Sequence, residues 1–208
     1  MQTLILTTEG MAAYGLQTFD VQRRVNHFPT RSAVMGLLGA AKGIKRDQHG
    51  QLFALSQELT IAVQVRQQGQ KIVDFHTVQS YRNPRGKIQQ GPPQITYREY
   101  WCDTKFNFAI SAHKSVIEDL KTHVKSPVFT LFQGRKSCPL TRPLYNSLVE
   151  AENPAVALMS LGEGLVYSDV TAQHQVAMTQ LRDLTTPRAH EYAMRQVYIC
   201  GVNNEFAH

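Results

Sequence analysis

The sequence predicts an α+β protein: a β-α-β-β-α-β core with a projecting hairpin or flexible loop, followed by a small β-rich part. Three observations predict it. Apolar residues recur at helical spacing mainly in 31–46 and 113–124, while short alternating or β-branched runs flank both segments. Residues 79–94 hold two glycines, three prolines and several bases but no acid, too long for a tight turn and too polar for a core. From residue 150 on the composition shifts, with seven acids against three Lys/Arg.

Taken in order, residues 2–7 read as a strand and 9–28 as irregular chain. Thr30, following Pro29, is a good N-cap for a helix over 31–46 whose Val34, Leu37, Leu38, Ala41 and Ile44 share one face. Gly36, Gly39, Ala40 and Gly43 cluster on roughly the opposite side. Interior glycines each cost about 1 kcal/mol relative to alanine, so three of them imply close approach of another backbone or of a ligand. Arg31, Lys42 and Arg46 fall within about 60° of one another on that helix, either as a solvated face or as phosphate contacts. Strands follow at 59–65 and 71–77, separated by a QQGQ turn. The projecting segment leads into a strand over 97–111, in which Phe106, Phe108 and Ile110 alternate onto one face. A helix over 113–124 and a short strand at 129–132 complete a ferredoxin-like order. In the β-rich remainder a proline-started helix near 153–161 precedes strands near 165–168, 176–181 and 197–202. The expected division is 1–148 and 149–208.

The chain's 208 residues suit one domain, or one domain with an appendage, and 42% hydrophobic with 18% charged residues is a globular composition. No run approaches the ~18 apolar residues of a membrane span, and MQTLILTTEG lacks a basic n-region, so neither a membrane partner nor a signal peptide is expected. Cys102, Cys138 and Cys200 are odd in number and widely spaced, which fits a reducing cytoplasm and argues against a disulfide framework or structural zinc. No HxxE, HExxH or Asp-rich metal motif occurs, so no metal or cofactor is expected.

Charge is the most informative feature. The three segments 21–46, 75–98 and 120–149 carry fifteen of the 22 Lys/Arg and none of the 16 Asp/Glu. Such sign segregation is the footprint of a polyanion-binding face set against an acidic remainder.

Several motifs carry a family resemblance. Phe28-Pro29-Thr30-Arg31-Ser32-Ala33-Val34-Met35-Gly36-Leu37-Leu38-Gly39-Ala40, Tyr97-Arg98-Glu99-Tyr100-Trp101-Cys102-Asp103 and Gly134-Arg135-Lys136-Ser137-Cys138-Pro139-Leu140-Thr141 stand in this order. They resemble the opening helix, the "WREYLCD" strand and the "GRRSCPLT" glycine loop of the CasD family, RAMP-superfamily subunits of type I-E CRISPR Cascade complexes. Phe75-His76-Thr77-Val78 and the helix exit Gly43-Ile44-Lys45-Arg46-Asp47 match as well. Met11-Ala12-Ala13-Tyr14-Gly15 stands where the family has a proline and a tryptophan before the glycine. The resemblance covers about residues 1–145. It implies an RRM-like domain with a thumb hairpin within about 74–101 and a non-catalytic, cytoplasmic, RNA-binding subunit. Such a subunit holds the 5′ handle of the CRISPR RNA (crRNA), meets the backbone and large subunits of Cascade, and reaches target DNA only through the complex.

A hooked single strand of RNA needs cations, close backbone donors and flat side chains for splayed bases. Arg82, Arg85, Lys87 and Arg98 supply cations in the thumb segment, with Tyr81 and Tyr97 as stacking faces. Gly134, Arg135, Lys136 and Ser137 offer amides, charge and a hydroxyl. Arg31 and Ser32 stand at a helix N-terminus, whose dipole favours an anion. Two alternatives stay open. A metal-independent endoribonuclease would need an acid and a base, for which His27, His76 and the pair His113-Lys114 are the candidates. A protein-only scaffold would use the acidic C-terminal part and the bare glycine face for docking.

Overall fold

The computed structural model describes residues 1–15, 21–82, 86–189 and 191–201, without the side chains of 82 and 89–91. In chain order the elements are β1 Gln2–Ala12, β2 Gln22–Arg23, α1 Arg31–Lys42, α2 His49–Glu58, β3 Thr60–Gln67, β4 Gln70–Arg82, β5 Ile88–Ser111, α3 Lys114–Lys125, β6 Tyr145–Glu150, α4 Pro154–Met159, β7 Leu165–Ser168, β8 Gln175–Thr185 and β9 Tyr192–Cys200. The strands form a single sheet of order β6-β1-β5-β3-β7-β9-β8, with β2 and β4 pairing the outer length of β5. Every pairing is antiparallel except the short β2–β5 one. No helix among the described residues is long and apolar enough to cross a membrane.

Period-two alternation sends the central strands' side chains into two cores. Leu4, Leu6, Ile61, Val63, Phe106, Phe108 and Ile110 face α1 and α3, meeting Val34, Met35 and Leu38 of the first helix and Ile117 and Leu120 of the second. Their neighbours Ile5, Ala62 and Ala109 point the other way, where the small side chains let α4 sit close through Ala155, Ala157 and Leu158. That second core also takes Val166 and Cys200 from β7 and β9. The parts expected at 1–148 and 149–208 are therefore continuous in both sheet and core, because β7 hydrogen-bonds directly to β3.

Local chemistry fixes the helix ends. Thr30 caps α1 by accepting from the Ala33 amide. Gly43, at φ +77°, closes it with its own N–H on Ala40 and the Ile44 N–H on Gly39, a Schellman-type stop. The helix thus ends at Lys42 rather than at residue 46. α3 starts from His113 and α4 from Asn153, each of which accepts a backbone N–H through its side chain.

Two further expectations are corrected. Residues 129–132 do not form the fourth core strand: the Val128 and Phe129 amides donate to the Ala41 and Ala40 carbonyls at the end of α1, and only a Phe132–Pro139 bridge remains. That strand is β6, beside β1. Residues 9–28 are not irregular throughout, since β1 runs on to Ala12 through an irregularity between Gly10 and Ala12.

Candidate nucleic-acid interface

Two of the three segments expected to face an anion, the α1 segment and the glycine loop, meet around the exposed flank of α1. The glycine loop is held from within: the Gln133 amide donates to the Cys138 carbonyl at 2.7 Å, and the Cys138 amide to Arg135 at 2.9 Å. Gly134 has φ +84°, and a Cβ there would lie 2.2 Å from the Ala13 carbonyl oxygen, so the loop crosses the β1 exit where only glycine passes. Tyr14, in the stretch that departs from the family pattern, is buried beside this crossing. It packs edge-on to Phe106 and donates to Gln133, and burial pushes its phenol pKa well up. Cys138 is buried beneath the loop, and its thiol pKa is raised chiefly by that burial, the opposite of an activated nucleophile.

Arg135 turns inward. Its guanidinium donates to the Glu99 carbonyl at 2.9 Å and the Arg23 carbonyl at 3.2 Å, and lies 4.7 Å over the Tyr100 ring. It ties the loop to the base of the β4–β5 hairpin. Lys136 and Ser137, the next two residues, are exposed.

Along α1 the glycine face divides. A Cβ at Gly39 would meet Leu52 of α2, and one at Gly43 would meet Val128, so these two permit close packing. Gly36 has nothing within 4 Å and opens onto a cleft of about 990 Å³. Phe129, Leu131, Phe132 and Leu52 give the cleft an apolar floor. Lys45, Arg46, His49, Lys136 and Arg188 supply bases, and Glu191 is the sole acid among the described lining residues. A smaller hollow of about 280 Å³ adjoins it through Ser32, Gly36, Ala40 and Tyr192, and reaches Gly134 and Ala13.

Arg31 requires correction. It is 5% exposed and lies inside the protein. Its guanidinium donates to the Ser56 and Leu59 carbonyls, the Ser56 hydroxyl and Asp169. Its backbone N–H donates to Asp183 at 2.7 Å, so the α1 N-terminus already holds a carboxylate of its own chain. Arg195 completes the cluster by pairing with both Asp169 and Asp183. Lys42 is likewise engaged, with Asp119 of α3. The expected stripe of Arg31, Lys42 and Arg46 therefore does not exist as a free face. Ser32 does line the cleft.

On the hairpin, Tyr97 is 43% exposed and meets Phe75 edge-on at 5.6 Å. Arg98, half-buried in register with Asp74 and Arg23, donates to the Thr96 hydroxyl. The Tyr81 hydroxyl accepts from Gln94, and Lys87 is exposed. Arg85 and the Arg82 side chain lie outside the described residues. The described hairpin side chains line neither hollow and constitute a second surface, joined to the first through Arg135.

The histidines have structural partners: His113 caps α3, His76 pairs with Asp74, and His27 packs against Trp101. Among the described residues no group of three His, Cys, Asp or Glu could hold a metal ion. Sequence reasoning missed Arg188 and Tyr192 as cleft residues. Lys45 and Arg46 stood in the first acid-free segment, but the turn between β8 and β9 carries no local signal, because only the fold brings it opposite α1.

The profile of the family described as CRISPR-associated protein (Cas_Cas5) matches residues 3–198. The CRISPR system Cascade subunit CasD of Escherichia coli (strain K12) is 35% identical over 213 residues, which is 94% of each chain. Two solved structures share the fold. One, of a CRISPR RNA-guided surveillance complex, has TM-score 0.68 and 19% identity over 96% of this chain and 89% of that one. The other, a crystal structure of a Cas protein, has TM-score 0.67 and 23% identity over 95% and 93%.

Proposed function

This chain belongs to the CRISPR-associated Cas_Cas5 family, and from that premise we propose that it is the RNA-binding subunit of a type I-E Cascade surveillance complex. In this reading it holds the 5′ handle of the crRNA and caps the backbone of the complex without cutting RNA. The observation that carries the reading is the cleft: apolar floor, basic rim and, among the described lining residues, one acid, bordered by the exposed Lys136 and by Ser32. That combination suits a strand whose phosphates seek cations while its bases leave water. Lys136, Ser137 and the Gly134 backbone then contact the handle from the loop, and Tyr97 and Arg98 from the hairpin, with Tyr81, Arg82, Arg85 and Lys87 further out.

The β6-β1-β5-β3 order, joined through α1 and α3, supports a ferredoxin-like, RRM-like reading of residues 1–148. The long β4–β5 hairpin, with Phe75, Ile88, Ile95 and Tyr97 exposed, supports its use as a thumb against RNA and the backbone subunit. The packing of His27 on Trp101 and the capping of α3 by His113 favour a non-catalytic role for these two. Target DNA is reached through the assembled complex, alongside the large subunit.

The test is incubation of the purified chain with labelled repeat RNA in EDTA over a salt series. Intact RNA is expected, with log affinity falling on log salt by about 0.7 per phosphate contacted. A discrete cut in EDTA would overturn the non-catalytic reading, and absence of salt-dependent binding would overturn RNA contact by this chain.

A further inference from the structure

We propose that Thr186, Arg188, Glu191 and Tyr192, between the end of β8 and the start of β9, form the far wall of the RNA cleft, with Tyr192 as a stacking platform for a splayed base and Arg188 as a phosphate contact. This rests on the RNA-binding reading above and extends it to a part of the chain whose net charge is acidic.

Tyr192 lines both the 990 Å³ cleft and the 280 Å³ hollow, as Gly36 and Ala40 do. The tyrosine opens β9 opposite Thr185 and is still 42% exposed. Tyr192 thus shares its hollow with a helix face of small residues, Ser32, Ala33, Gly36 and Ala40, and a Cβ at Gly36 would meet nothing within 4 Å. The open space at Gly36 leaves room beside the helix for a base that stacks on Tyr192, and base–aromatic stacking tolerates any sequence because every base has a π face.

Arg188 is 83% exposed and is held only loosely, by Glu191 at 3.5 Å. Exposed pairs of this sort contribute little, so a phosphate can displace the carboxylate and take a charge-assisted, bidentate contact. Across the cleft stand Lys45, Arg46 and Lys136. Charge complementarity therefore selects a polyanion over an apolar peptide, and the volume, at the upper end of small-molecule pockets, exceeds what a single base needs. The occupant is single-stranded RNA.

The experiment measures affinity of the full chain for a fluorescent single-stranded RNA carrying the crRNA 5′ handle, over a salt series, with each variant first checked for a native melting transition. Tyr192→Ala is expected to weaken binding about tenfold, and Tyr192→Phe, which keeps the ring, to restore it. Arg188→Ala should reduce the salt slope by about 0.7. Gly36→Leu fills that open space on a helix that gains propensity from the change, so it should weaken RNA binding while the protein stays folded. Wild-type affinity in Tyr192→Ala and Gly36→Leu, with Lys136→Ala still impaired, overturns this wall and leaves the RNA-binding reading standing. No RNA binding by the wild type takes down both. If the same variants lose capture of the large Cascade subunit but keep RNA affinity, the cleft is a protein-docking site and the proposal fails.

Discussion

Arg31 and Lys136 were both expected to touch phosphate, and the structure puts them in opposite environments. Around Arg31 the chain has gathered Asp169, Asp183 and Arg195 from strands and turns more than 130 residues away. The resulting group of two cations and two anions is between 2% and 16% exposed. Around Lys136 the fold brings further bases and Glu191. A buried charge persists only when paired and hydrogen-bonded, whereas an exposed one keeps its water and can exchange it for a ligand. Absence of nearby acids in sequence therefore signals an available cation only where the fold supplies no acid from a distance.

The largest test of this contrast is Arg31→Ala. Removing one member of the buried cluster leaves Asp169 and Asp183 with Arg195 as their one cation in it and the Ser56 and Leu59 carbonyls without their donor, a loss of about 3–5 kcal/mol expected in urea unfolding. The remaining folded protein should keep its affinity for handle RNA. Weakened RNA binding with normal stability would reverse the assignment and return Arg31 to the interface.

Arg135 and Lys136 sharpen the contrast between neighbours. Arg135→Ala gives up two charge-assisted bonds to main-chain carbonyls and the stack on Tyr100, and should cost about 1.5–3 kcal/mol of stability. Lys136→Ala should leave stability within about 0.5 kcal/mol but flatten the salt dependence of RNA binding by one phosphate, about 0.7 in slope. Equal effects of the two on unfolding would mean that Lys136 is also architectural.

The sequence discloses elements whose determinants are local. Thr30 and Asn153 announce the starts of α1 and α4, and alternating Phe106, Phe108 and Ile110 mark β5. Residues 165–168 form β7 as expected. α2 stayed hidden because Gln48 makes no side-chain cap bond, the helix carries an interior Gly50, and only Leu55 and Ser56 are buried. Residues 129–132 read as a strand because Phe129, Thr130 and Phe132 are β-formers, but the Val128 and Phe129 amides bond the carbonyls that end α1. The site divides in the same way. Lys136 and Ser137 could be read from a loop motif, while the partners of Arg31 and the Arg188–Tyr192 wall depend on tertiary contacts that no local pattern records.

Glu9 lies between the two extremes and should give the smallest effect. Its carboxylate accepts from Lys105 at 2.8 Å and Arg142 at 3.0 Å, but the three side chains are 35–44% exposed. These hydrogen bonds hold the Glu9 carboxyl below the usual carboxylate range, Lys105 contributing most and Arg142 next. A carboxyl whose folded pKa is depressed adds stability above its unfolded pKa and loses it as pH falls through the folded value. Glu9→Gln should therefore cost a few tenths to about 1 kcal/mol at pH 7, given the exposure of the pair. That cost should shrink towards zero as the pH drops below the ordinary carboxylate range, because wild-type Glu9 is then protonated in both states. Urea unfolding of both proteins at neutral and acid pH measures it. A cost that stays constant with pH would mean that Glu9 acts through packing rather than charge, and would move it to the buried side of the contrast.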